Sequence, residues 1–199
     1  IYTNAAGAIV DMVGMEKRRG DDKPLIVASM FGNTTPCITR AREALEGKGY
    51  EVLVFHATGN GGRTMESLIA DGYISASFDI TTTELADEVC GGALSAGPER
   101  MLAAARRGIP TVLSVGCIDM ANFHGRVGVP AHFQQRNIYE WNPQVALMRT
   151  NEEENRRIGE MIAAAANAST GPVAILLPLK GVSMLDSAGQ PFWDPAADA

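Results

Sequence analysis

Five short segments hold most of the side chains that could do chemistry. They are Gly32-Asn33-Thr34-Thr35, Thr58-Gly59-Asn60-Gly61-Gly62-Arg63, Asp79-Ile80-Thr81-Thr82-Thr83, Gly116-Cys117-Ile118-Asp119 and Lys180-Gly181-Val182-Ser183. Hydroxyl, amide and glycine-rich stretches of this kind favour anions, because backbone N–H groups can converge where no side chain stands in the way. The segment around Gly59, Gly61 and Gly62 is the best anion-site candidate, with Arg63 placed to add a two-pronged contact. It lacks the G-x-x-x-x-G-K-[ST] phosphate loop, and Thr64 stands where a dinucleotide fingerprint needs its third glycine. Asn33, Thr34 and Thr35, then Thr81, Thr82 and Thr83, offer hydroxyls at two further helix starts, where simple capping is the competing role.

Acid–base chemistry would fall to Asp119, just past a strand, and to Glu84. Arg136 and Arg149 are candidate anion clamps, and Lys180, Gly181 and Ser183 complete the candidate ligand set. Cys117 with His124 or His132 would be the only cysteine–histidine nucleophile, and no local signature supports it. Three histidines without H-x-H or H-x-x-x-H spacing give no metal site, so no metal is expected. Gly181-Val-Ser-Met-Leu lacks the second glycine of a nucleophile elbow. Trp141 and Phe123 could stack on a base or pack their loop down.

These loops need a scaffold, and the apolar pattern supplies one. Leu25–Phe31, Glu51–His56, Tyr73–Phe78, Thr111–Val115 and Val173–Pro178 are short apolar runs suited to strands. Between them lie helical stretches after Pro36, after Thr64, from a Thr81/Glu84 capping box, over Pro98–Arg107, and from a Thr150/Glu153 capping box. Strands alternating with helices predict a doubly wound, mainly parallel α/β sheet of five or six strands, Rossmann- or flavodoxin-like, with order 2-1-3-4-5. Ligands in such sheets sit outside the carboxyl ends of the strands, so the polar loops gather along one edge. Residues 116–149 read as a long irregular stretch, which in a compact domain is usually functional.

The chain has 199 residues, 17 Lys+Arg against 23 Asp+Glu, and a net charge of −6. The size suits one domain, spanning residues 23–199, preceded by an apolar helix at Asn4–Met15 and a polar linker to Asp22. An acidic pI near 5.1 argues against direct nucleic-acid binding through general phosphate attraction. No run approaches the ~20 apolar residues of a membrane helix. Three cysteines without a CxxC suit a reduced, cytoplasmic protein.

Several longer motifs carry a family resemblance. Met30-Phe-Gly-Asn-Thr-Thr-Pro36, Phe55-His-Ala-Thr-Gly-Asn-Gly-Gly-Arg63, Asp79-Ile-Thr-Thr-Thr-Glu84, Asn142-Pro-Gln-Val-Ala-Leu-Met-Arg-Thr150, Gly181-Val-Ser-Met-Leu-Asp186 and Gly189-Gln-Pro-Phe-Trp-Asp-Pro195 are similar to the Tm-like ATP-binding-domain family. That family is named after the tomato mosaic virus resistance protein and is also classed as an uncharacterised family of bacteria, fungi and plants. The resemblance implies a two-domain α/β protein about twice this length, of which this chain is the second domain. Residues Asn4 to Met15 would then form the connector helix from a missing N-terminal domain. It further implies ATP or another nucleotide as ligand. The plant members are associated with blocking viral RNA replication through a protein target. The family's glycine motif with Thr and Lys, near the start of the first domain, has no counterpart here. Trp141 stands where the family commonly carries a His.

The expected function is therefore the binding of ATP or a phosphorylated metabolite at the sheet edge that faces the missing domain, in a homo-oligomer. Two alternatives are a non-catalytic nucleotide module that acts through protein contacts and an enzyme for a small carboxylated or phosphorylated substrate.

Overall fold

The computed structural model describes residues 2–15 and 23–199. The expected linker 16–22 lies outside the described residues. Five strands form the parallel sheet: β1 (Leu25–Met30), β2 (Glu51–His56), β3 (Ala76–Thr81), β4 (Thr111–Gly116) and β8 (Val173–Leu176). Their order is β2-β1-β3-β4-β8, which is the predicted 2-1-3-4-5 once only parallel strands are counted. The chain first winds from β1 out to β2, then returns to the other side of β1 as β3. The crevice between the ends of β1 and β3 is therefore the topological switch point.

The third strand starts three residues later than Tyr73, because the turn at Gly72 leaves Tyr73 exposed and burial sets in only from Ile74. Helices α2 (Thr35–Glu46), α3 (Asn60–Ala70), α4 (Thr83–Cys90), α5 (Leu102–Arg107) and α6 (Glu152–Ala168) fill the connections. Met65 and Ile69 of α3 and Ala103 and Ala104 of α5 pack on Val27, while Leu85 of α4 and Ile158 and Ile162 of α6 pack on Leu113. The opposite face receives Ile38 and Leu45 of α2. Helix α5 is shorter than Pro98–Arg107, since Met101 takes a left-handed φ of 78° and the preceding residues form a turn.

Both expected capping boxes are corrected. Thr82, not Thr81, stands at the α4 N-cap and makes no side-chain cap bond. The α6 box is formed by Asn151 and Glu154, one residue after Thr150 and Glu153.

The largest correction concerns residues 116–149. They hold a second, antiparallel sheet of β5 (Met120–His124), β6 (Ile138–Asn142) and β7 (Val145–Arg149), in the order β5-β7-β6. The strands escape a periodicity reading because β5 is buried on both faces from Met120 to Phe123, so it does not alternate. Helix α4 fixes this ribbon to the main sheet. Thr83 Oγ1 donates to the Met120 carbonyl at 3.1 Å, and Asp87 accepts from the Asn122 amide at 2.9 Å and from its Nδ2 at 2.7 Å.

Helix α1 (Tyr2–Gly14) buries none of its residues. Among the described residues no helix is long and apolar enough to cross a membrane, and Cys37, Cys90 and Cys117 are unpaired thiols.

Candidate functional site

The glycine-rich turn after β2 does hold an anion, and the anion is the protein's own. Glu84 Oε1 accepts from the Gly59 amide at 2.6 Å and the Gly62 amide at 3.1 Å. Gly59 tolerates this geometry because its φ is +80°, and a Cβ at Gly62 would run into the Glu84 carboxylate. Glu84 Oε2 in turn accepts from Arg100 Nε at 2.7 Å. The guanidinium also grips Asp79 with two bonds, 2.5 and 2.8 Å, and reaches Glu66 at 3.2 Å. Ser29 donates to Asp79 at 2.6 Å, and the Met101 and Ala103 amides donate to Glu66. Burial works to lower the Arg100 pKa, but Asp79, Glu84 and Glu66 raise it well above the ordinary guanidinium range. Glu66 itself is pushed up by burial.

Glu84 and the Gly59 and Gly62 amides thus form a closed internal network that ties α3, α4 and β3 together. Gly61 is in the first turn of α3, packed against the His56 carbonyl. Arg63 bonds the Ser95 carbonyl at 2.9 Å and Asn60 Oδ1 at 2.6 Å, and Thr58 bonds the His56 carbonyl at 3.3 Å.

The threonines are similarly engaged. Thr34 and Thr81 hydroxyls lie 2.7 Å apart, which ties the turn after β1 to the end of β3. Thr82 donates to the Ser114 carbonyl, Thr83 to that of Met120, and Thr35 to that of Phe31.

Beside that switch point lies an open pocket of about 360 Å³. Its walls include Phe31, Asn33, His56, Trp141, Asn142 and Met184. The Phe31 and His56 rings sit 5.3 Å apart, as the parallel pairing of Met30 with His56 requires at the strand ends. Trp141 is half exposed and is therefore not spent on packing, whereas Phe123 is buried inside the ribbon. A short helical turn, Gly32–Thr34, leads straight into α2; the Thr34 N–H bonds the Phe31 carbonyl at 2.9 Å, and the Gly32 and Asn33 N–H groups have no carbonyl one turn earlier to bond. The pocket thus combines flat apolar walls with a helix start, suited to a ring that carries an anionic group.

A second cluster lies where the loops after β4 and β8 meet. Ser183 donates to Asp119 Oδ2 at 2.7 Å and accepts from the Leu185 amide at 3.0 Å. Asp119 is fully buried and its Oδ1 has no partner. Burial drives its pKa up to about 7, against the pull of the Ser183 bond and Arg149. Gly181, at φ +104°, makes the turn that presents Ser183. Lys180 is exposed.

Arg149 is not a free clamp. It bonds Asp198 at 2.7 Å, Asp186 at 3.3 Å and the Phe192 carbonyl at 2.8 Å, and so straps the C-terminal segment to the ribbon. Arg136 is paired with Glu154 at 2.8 Å. Cys117 is fully buried, and burial raises its thiol pKa, which removes it as a ready nucleophile. His124 ends β5 exposed, and the His132 ring lies tilted beside that of Phe133, 4.1 Å between centroids.

Of the expected ligand residues, the structure brings Asn33 to the pocket and joins Asp119 to Ser183. Phe31, His56 and Met184 are additions. Their signal was positional, since Phe31 and His56 close the first two apolar runs and Met184 follows Ser183. Arg100 gave no signal at all.

The family description "Uncharacterised protein family (UPF0261) C-terminal domain" matches residues 23–199. A UPF0261 protein of Clostridium tetani is 50% identical over 194 residues, which are 97% of this chain and 48% of that protein. A UPF0261 protein of Mesorhizobium japonicum is 48% identical, over 100% of this chain and 50% of its own length. The ToMV resistance protein Tm-1(GCR237) of Solanum lycopersicum is 45% identical over 203 residues, 99% of this chain and 27% of that protein. The chain thus spans half or less of the length of these relatives.

Proposed function

The chain belongs to the uncharacterised protein family UPF0261, as its C-terminal domain, and on that premise we propose that it is the ligand-binding half of a longer, two-domain cytoplasmic protein. The ligand is a nucleotide such as ATP, or a related phosphorylated metabolite with a flat ring. One observation carries this reading: the pocket at the carboxyl ends of β1 and β2, beside the switch point, presents Trp141, His56 and Asn33, while Glu84 occupies the glycine turn and Arg63, Arg136 and Arg149 are bonded internally. The ring would lie between Trp141 and the Phe31–His56 pair, and the phosphate would meet the Gly32–Thr34 helix start. A volume of about 360 Å³ accommodates a base with its sugar.

The test is calorimetry on the longer protein with ATP, ADP, AMP and sugar phosphates. Saturable binding that falls about tenfold in Trp141→Ala, a loss of ~1.4 kcal/mol, supports the reading. Equal affinity in the variant overturns it. A second reading, an enzyme for a small carboxylated or phosphorylated substrate, rests on the buried Ser183–Asp119 pair, which could exchange a proton near neutral pH. Turnover that titrates near pH 7 and vanishes in Asp119→Asn distinguishes it from a purely binding module.

A further inference from the structure

The main sheet is unevenly covered. In parallel pairing, partners point to the same side. The registers therefore put Ile26, Phe78, Val112, Ala174 and Leu176 on the face that receives α2. Helix α2 covers the β1–β2 half of that face through Ile38 and Leu45. Among the described residues no helix continues over β3, β4 and β8, where Phe78 and Val112 are only partly buried, Ala174 is exposed and Leu176 is 50% exposed. An apolar groove of about 320 Å³ runs there, lined by Leu45, Phe78, Val112 and Ala174 among others. Among the described residues the sheet ends in β8, whose outer edge has no paired strand. Residues 172–179, Pro-Val-Ala-Ile-Leu-Leu-Pro-Leu, carry no charge, and Leu177 and Leu179 are 61% and 95% exposed.

All-parallel sheets are stable with both faces covered, and an uncharged open edge strand is an aggregation hazard. Among the described residues the face lacks a helix and the edge lacks a strand. Helix α1 could supply only a helix. A second copy related by a two-fold axis could pair at the β8 edge, but it would then extend the bare face instead of covering it. A strand followed by a helix meets both needs, and such crossover units come from the same chain. About half of each bacterial relative lies outside the matched region.

We propose that, in the longer protein, polypeptide outside residues 1–199 adds a strand beside β8 and a helix across β3, β4 and β8. This proposal is independent of the ligand reading. The test is amide exchange of residues 172–179 in the longer protein, read at several concentrations. The expected result is exchange slowed by ~100-fold at every concentration. Fast exchange at this edge overturns the proposal, as does protection that appears only as the protein self-associates. In the same protein Leu176→Lys should lower the melting temperature; an unchanged value counts against a covered face. If that variant does not fold, the exchange measurement on the unmodified protein still decides.

Discussion

Replacing Asp119 with asparagine should make the protein more stable at pH 8 and flatten its pH dependence. Burial raises the Asp119 pKa from 3.8 to about 7, so the native state favours the protonated carboxyl more than the unfolded chain does. Its contribution is fully present below about pH 4 and is lost as pH rises through 7. A difference of about three units corresponds to a ceiling of ~4 kcal/mol, with a slope near 1.4 kcal/mol per pH unit across that window. Asp87 is raised by burial to about 7 as well, and so adds a slope of the same sign. Asp119→Asn keeps the shape and removes one of these ionisations, so it should cut the part of the loss between pH 5 and pH 8 that Asp119 and Asp87 share by about half, while Glu66 and Asp186, also raised by burial, keep a slope of the same sign. The assay is urea denaturation at half-unit pH steps. An unchanged slope in the variant, or lower stability than the parent at pH 8, would refute the account of Asp119 as a desolvated carboxyl with an unbonded oxygen.

Arg100→Met should destabilise the fold by about 3–5 kcal/mol, because it strands Asp79 and Glu84 in the interior; a denaturant midpoint close to the parent's would show the network to be dispensable. Gly62→Ala should cost ~1–3 kcal/mol, since its methyl group meets the Glu84 carboxylate, whereas Gly159→Ala on open α6 surface should be neutral or slightly stabilising. Thermal melts of the pair separate a local clash from a general intolerance of substitution. Arg149→Met should release residues 186–198 to limited proteolysis while the parallel sheet stays intact, with cleavage sites read by mass spectrometry.

The ribbon and the plugged turn mark how far the residues could be read unaided. Strands β1, β2 and β4 announce themselves as short apolar runs, and right-handed crossovers then leave few ways to order them. The polar loops at the carboxyl edge follow from that order, and so does the place of Asn33 and Asp119. The fate of the polar groups does not. Gly59 and Glu84 are 25 residues apart, and Asp79 and Arg100 are 21 apart. A glycine-rich turn aimed at an external phosphate and one closed around an internal carboxylate look alike in one dimension. Arg149 was legible as a cation but not as a strap, because its acceptors come from residues 186–198.

Local periodicity reports whether a position is buried, and it is imposed by neighbours in the chain. The βα rhythm, the strand order and the carboxyl edge where the polar loops gather were therefore legible in the residues alone. Which donors remain available at that edge depends on charge partners supplied from distant segments. Long-range contacts alone leave the pocket of Trp141, His56 and Asn33 open, close the glycine turn with Glu84 and, among the described residues, leave half of one sheet face without a helix.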